Sequence, residues 1–272
     1  MEKKYELTDI TKKIIGDKIG FKEITVYRIR ALKDFDSVKK GDLGGWVESE
    51  DNLSHNGTCW IFNDAMIYGN AKVYGDAIVS GNSCVHGNAR IFNSARISDY
   101  ARVFNKATIH GKSKVYGSAK VCEHAIISGN AYIGGTSIIC AHAVVSENAC
   151  VRGNSTIVGD VQITGTGNVC DSNVKGNAVI GGFSRLNGAT VGNNANINDT
   201  SDYLVIGPIG SRNDKTTFYK GINGIYVHTG CFEGTLKQFE DAVNETHKNN
   251  EKYRNQYLSM IKYVKENLME DN

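Results

Sequence analysis

Residues 61–73 read Ile61-Phe-Asn-Asp-Ala-Met-Ile67-Tyr-Gly-Asn-Ala-Lys-Val73, and the six-residue pattern they open runs unbroken to Val169. Every sixth position is Ile or Val across nineteen anchors, from Ile61 and Ile67 through Ile109 and Val121 to Ile163 and Val169. Four positions after an anchor stands a small residue, such as Ala65, Ala89, Ser113 or Ser155. Two positions after it stands Gly, Asn or Asp in fifteen of eighteen cases, Gly69, Asn93 and Asp99 among them. Neither a helix nor an alternating strand has period six.

Each ladder has a physical reading. A β-branched side chain suits a short strand and points inward. A small residue fits where the chain folds tightly against the neighbouring coil. Gly or Asn accepts the positive φ of a sharp corner. One strand and one corner take six residues, so three units close an eighteen-residue triangular coil. At about 4.8 Å per coil, the six coils between Ile61 and Val169 make a prism on the order of 29 Å tall. The pattern predicts a parallel β-solenoid.

The repeat V-x-G-N-A-x resembles the hexapeptide-repeat superfamily over residues 61–197. The resemblance implies a left-handed parallel β-helix, a handedness that spacing does not give and that runs against the right-handed crossover rule. It also implies a homotrimer. Its members include acyltransferases, γ-type carbonic anhydrases and non-catalytic scaffolds. The leading segment GGWVESEDNLS, residues 44–54, is similar to the YdcK-like hexapeptide proteins of bacteria, which carry an acetyltransferase label by family. The combination GPIGSRNDKTTFY…GCFEGTLKQFEDAV…H resembles a tail domain of phage and prophage hexapeptide proteins of unknown function.

Composition sets further bounds. Thirty Gly and one Pro suit a structure with many corners, since Pro inside a stacked strand deletes a ladder hydrogen bond. A net charge of +2 gives no broad field for a nucleic acid polymer. No apolar run marks a signal peptide or a membrane span. Seven Cys without CxxC spacing predict reduced thiols and a cytoplasmic location.

Residues 1–45 form an N-terminal lid containing a strand over residues 24–32. Val47 and Leu53 are already six apart, so the first coil starts near Trp46, whose ring is expected to cover the open end of the prism. Residues 46–199 are the β-helix, with shortened units after Val169 at Val174, Ile180, Leu186, Val191 and Ile197. Residues 200–272 form a small α+β cap: a strand from Tyr203, a strand pair around 221–224, and two helices. The first helix is capped by Thr235 with Gln238 and buries Leu236, Phe239 and Val243. The second begins near Glu251 and puts Tyr253, Tyr257, Ile261, Val264 and Leu268 on one face.

One outward face carries Tyr68, His86, Phe104, Cys122, Cys140 and Val158, interrupted by Arg102 and Lys120; it is the expected trimer interface. Its bland alternative is ordinary side-chain ladders on a sheet. Arg90, Arg96 and Arg102 are six apart and fall on three different faces.

A general base for acyl transfer needs reach and a pKa near neutrality, which His provides. His124 and His142 stack at one corner, but they continue the polar column of Asn70, Asn88 and Lys106, and no loop is extruded nearby. His86, His110, His124 and His142 lack the spacing of a zinc site. In the cap, His228, Cys231 and His247 could supply a nucleophile and base, against the commoner outcome of a packed Cys.

Residues 207–219 carry the strongest ligand pattern. Gly210 and Ser211 can expose backbone N–H groups to an anion. Arg212 and Lys215 add charge, Thr216 and Thr217 hydroxyls, and Tyr219 a ring. Its alternative is a Gly-rich connection into the cap. The sequence thus predicts an all-β solenoid acting as a non-catalytic homotrimer. It captures a small anionic, nucleotide-like ligand through Gly210, Ser211, Arg212, Lys215, Thr216, Thr217 and Tyr219, with no cofactor or metal. Sequestration of a host immune signal by a phage protein is one use of such a molecule. The competing readings are an acetyl-CoA-dependent acyltransferase and a structural scaffold.

Overall fold

The computed structural model describes residues 2–16 and 23–268. Residues 1, 17–22 and 269–272, which fall in the expected lid and cap, lie outside the described residues. The chain folds as a parallel β-solenoid followed by a four-stranded antiparallel sheet and two helices. Most coil strands are two residues long. The first residue faces outward and the second is the anchor, as at Lys72–Val73, Arg96–Ile97 and Lys114–Val115. Anchors and the small residues that follow them form one continuous buried core.

Strands stack in parallel at a register of eighteen, as in the column Ile78, Arg96, Lys114, Tyr132. Three sheets of eleven, eight and eight strands make the three faces. Arg90, Arg96 and Arg102 lie in three different sheets, as their spacing requires. Every corner residue from Asn63 to Gly165 has positive φ. That includes the three that are not Gly, Asn or Asp: Glu123, Ala141 and Glu147, at 57°, 60° and 58°. Where Ser replaces Ala inside the core, its hydroxyl donates to a nearby backbone carbonyl, so no hydroxyl is stranded; Ser83 donates to Ser80 O and Ser137 to Gly134 O.

The first coil uses Val47, Leu53 and Ile61, which pair with Ile67, Val73 and Val79. After Val169 the register falls to seventeen, with Ile157 facing Val174 and Val169 facing Leu186. The shortened unit turns at Asp171, whose φ is 48°.

Trp46 is not the lid. It precedes the inward anchor Val47, so the pleat turns it outward; there its Nε1 donates to Asp64 and its ring lies under Arg28. The large aromatic buried at this end is Trp60, packed against the equally buried Tyr5 and against Phe35. Sequence reading also missed the long first strand, Tyr5–Ile15, which pairs with Glu23–Ala31 as a hairpin on the edge of the largest sheet.

The two ends are closed by opposite chemistry. Most of the N–H groups that link the coils donate to carbonyls of the next coil, as Trp60 N does to Ala77 O. The N-terminal end therefore presents mainly orphan carbonyls and the C-terminal end mainly orphan N–H groups. At the first, Lys4 Nζ donates to Gly57 O and Cys59 O, and the Tyr5 hydroxyl to Leu53 O. At the second, Thr190 N donates to Thr217 Oγ1, Gly192 N to the Tyr219 hydroxyl, and Asn187 N to the Tyr203 hydroxyl.

The cap sheet runs in sequence order through Tyr203–Ile209, Asp214–Gly221, Gly224–Thr229 and Phe232–Thr235. Helix α1 (Leu236–Thr246) carries the capping box of Thr235 and Gln238 and buries Leu236, Phe239 and Val243. Helix α2 (Glu251–Asn267) buries Tyr257, Met260, Ile261 and Val264. Phe218 joins this second core while its neighbour Tyr219 belongs to the solenoid core, so one strand serves both.

Candidate functional site

The structure does not gather the seven residues of the expected cap site. Thr216, Thr217 and Tyr219 lie on a strand buried on both faces. Thr217 and Tyr219 close the end of the prism, and Thr216 donates to Thr229. Gly210 turns against the Tyr257 ring, where a Cβ would overlap the hydroxyl. Arg212 lies over Gly230 at a hairpin tip, its Nη2 donating to Cys231 Sγ at 3.4 Å. Lys215 points toward Gly188 at the prism edge, and Ser211 is exposed in the turn beside Arg212.

The other candidates separate in the same way. His228 faces Glu233 across 3.8 Å, and Glu233 is held by Lys175 at 2.7 Å. Burial, aided by Lys175, lowers the pKa of His228. His247 stacks on Tyr257. No described contact joins Cys231 to either His. His124 and His142 stack with ring centroids 4.9 Å apart, and above Asn70 and Asn88, which are hydrogen-bonded to each other, they continue the polar corner column. No carboxylate among the described residues is hydrogen-bonded to either ring to orient it. Among the described residues no group of three His, Cys, Asp or Glu side chains could hold a metal ion.

Part of the expected trimer face covers itself, while Val158 stays exposed. Tyr68, His86 and Phe104 stack with centroids 4.9 and 5.2 Å apart and planes within 5°. Tyr68, His86 and Cys122 are each less than 9% exposed in the single chain.

A groove of about 340 Å³ lies on another face, in the middle of the prism. Its lining comes from two outward columns of one sheet. The column before the anchors runs Ile78, Arg96, Lys114, Tyr132; the column after them runs Ser80, Ser98, Tyr116, Gly134. Depth arises because Ser80 and Ser98 are short while the next coil raises a tyrosine. Tyr116 reaches over Gly134, where any Cβ would overlap its ring. It thereby meets Tyr132, with ring centroids 4.3 Å apart. Burial and the Tyr132 hydroxyl push the Tyr116 phenol above the usual tyrosine range.

The groove is electrostatically unbalanced. Arg96 and Lys114 are direct cross-strand neighbours, a like-charge arrangement that costs stability. Both are exposed and neither forms an ion pair with a described carboxylate. The serine hydroxyls lie between this cationic wall and the corner at Asp99. The sequence contained the signal in its eighteen-residue columns, where a run of Ser ends at Tyr116 beside a run of cations.

A six-residue repeat, wound into triangular coils and closed at both ends, defines the class as a hexapeptide-repeat β-solenoid. The chain is similar to the uncharacterized acetyltransferase YdcK of Escherichia coli (strain K12), with 33% identity over 66 residues, or 24% of this chain. The similarity covers only a fifth of that protein's length. No family model matches the chain. The repeat, the coil and this similarity together fit the hexapeptide-repeat superfamily. No helix among the described residues is long and apolar enough to cross a membrane.

Proposed function

We propose that this protein binds a small anionic ligand in the groove of the middle coils rather than at the cap, and does so without catalysis. The observation that carries the reading is the stacked pair Arg96 and Lys114, unpaired beside a tyrosine shelf in a concave site. A bound anion relieves their repulsion, and Arg can grip phosphate or carboxylate through two N–H groups. Tyr116 and Tyr132 offer apolar ring surface to the rest of the ligand. No histidine is among the described residues that line the groove, which favours capture over His-assisted acyl transfer. Sequestration of a host nucleotide signal by a phage-encoded protein is one use of such a groove, supported by the resemblance of the cap alone. Homotrimeric assembly rests on the superfamily resemblance, and sedimentation equilibrium decides it.

Native mass spectrometry of protein purified from cells tests the site. A small anion should co-purify, be lost in the double variant Arg96→Gln/Lys114→Gln, and persist in Arg212→Ala. Loss in Arg212→Ala alone would return the site to the cap. Ligand-free protein that consumes acetyl-CoA would replace binding with acyl transfer.

A further inference from the structure

We infer that the ligand is a phosphate ester of a hydroxylated ring, with its phosphate at Arg96 and Lys114 and a ring hydroxyl donating to Asp99. The inference rests on the groove reading above and adds the carboxylate on the opposite wall. Asp99 lines the same groove three residues after Arg96, beyond Ser98. One of its oxygens, Oδ2, accepts from Gly117 N at 2.9 Å, which fixes the carboxylate on the rim. The other oxygen has no partner among the described residues. It remains open to a donor in the groove.

A carboxylate beside two cations is an odd lining for a site that takes simple anions. It repels phosphate or pyrophosphate, and such a ligand offers its exposed second oxygen no hydroxyl donor in place of water. It suits a ligand whose one end is an anion and whose other end donates hydrogen bonds. Arg96 and Asp99 lie in one coil, and three residues span at most about 10 Å. Inorganic phosphate has no ring to rest on the tyrosines and no sugar hydroxyl to offer Asp99. A sugar phosphate can bridge both walls, resting one ring face on Tyr116 and Tyr132 and turning further hydroxyls to Ser80 and Ser98. Both a phosphosugar and a nucleoside monophosphate carry this chemistry, since the second contains the first.

The variant Asp99→Asn separates these effects without disturbing the corner. Asn occupies the same left-handed position at Asn93 and Asn105, with φ of 57° and 58°. Its amide oxygen can still accept from Gly117 N. The substitution removes the charge that attracts a hydroxyl and repels an anion, so the two ligand types should respond in opposite directions.

Calorimetric titration with inorganic phosphate, ribose 5-phosphate and AMP reads the outcome. The wild-type protein should bind ribose 5-phosphate about tenfold more tightly than inorganic phosphate, the worth of one hydrogen bond to a charged group. Asp99→Asn should erase that margin while binding inorganic phosphate at least as well as the wild type. Tighter binding of AMP than of ribose 5-phosphate would assign the ligand to nucleotides, and equal binding to phosphosugars; either supports the inference. Equal binding of inorganic phosphate and ribose 5-phosphate, abolished in Arg96→Gln/Lys114→Gln, would overturn it while leaving an anion groove standing. Binding of none of the three would remove both readings.

Discussion

At the scale of single residues, the corners show how a repeat tolerates its exceptions. Ala141 holds a left-handed φ of 60° that costs a residue with a Cβ about 1–2 kcal/mol. Its N–H is satisfied by Glu123 Oε2 at 2.8 Å, a bond that does not depend on the Ala141 side chain. Ala141→Gly should therefore stabilise the protein by about 0.5–1 kcal/mol after the greater freedom of unfolded Gly is subtracted. Glu147 sits in the same conformation, but its own carboxylate accepts from Gly165 N at 2.8 Å. Glu147→Gly relieves strain and deletes that bond together, so it should be close to neutral. Thermal melts of the two variants check the contrast; equal shifts would remove the role given to the carboxylate.

Cysteine chemistry also differs residue by residue. The Arg212 guanidinium donates to Cys231 and holds its thiol below the ordinary range, so more thiolate is present near neutral pH. Burial pushes Cys122 up to about 12, which keeps it protonated throughout that range. Iodoacetamide should therefore label Cys231 first, and its labelling should persist to lower pH than that of the other thiols. Arg212→Gln should raise the thiol's pKa and slow labelling at pH 7 severalfold. Peptide mapping during a time course reads both effects.

At the scale of elements, the solenoid has a direction, and its two lids are matched to it. Carbonyls at one end meet the ammonium of Lys4 and the hydroxyl of Tyr5; N–H groups at the other meet oxygens of Tyr203, Thr217 and Tyr219. Tyr219→Phe keeps the ring in the core but strands Gly192 N in a buried place, which should cost about 1–3 kcal/mol. Thr235→Ala, at the exposed cap of α1, should cost only about 1 kcal/mol. Denaturation with urea distinguishes the two, and a milder Tyr219 variant would mean that water replaces the hydroxyl.

The same elements show what sequence could carry. The coils were legible because each position repeats one environment, so periodicity alone gave anchors, corners and register, including the five-residue step from Val169 to Val174. The capping box and the apolar stripe of α1 were legible as local patterns. The lids were not. Lys4, Tyr5 and Trp60 meet across about fifty residues of sequence, and nothing local marks them as neighbours. Thr217 and Tyr219 suggested a ligand site because their side chains are polar, and they spend those groups on orphan N–H donors instead. The groove escaped because its depth is a difference between neighbouring coils, visible only when columns eighteen apart are compared.

For the whole molecule, a net charge of +2 hides an uneven distribution. Residues 72–120 hold eight Lys and Arg against two Asp, a local charge of +6, which leaves the remainder of the chain at −4. The coils are only about 4.8 Å apart, so this charge is confined to a belt a few coils high around the groove. Its field attracts an anion before any contact forms, over a distance set by ionic strength: about 10 Å at 0.1 M salt and 3 Å at 1 M. Lys112 is an exposed member of the belt two residues before Lys114, and it is not part of the groove lining. A unit charge about 10 Å away in water is worth about 0.4 kcal/mol, a factor of about two in rate. Lys112→Gln should therefore slow ligand association about twofold at low salt, leave dissociation unchanged, and lose its effect near 1 M salt. Arg96→Gln should instead speed dissociation at every salt concentration, because it removes a contact. Stopped-flow measurements across a salt series separate the two. Equal effects of both variants on dissociation would place Lys112 in contact with the ligand and redraw the groove.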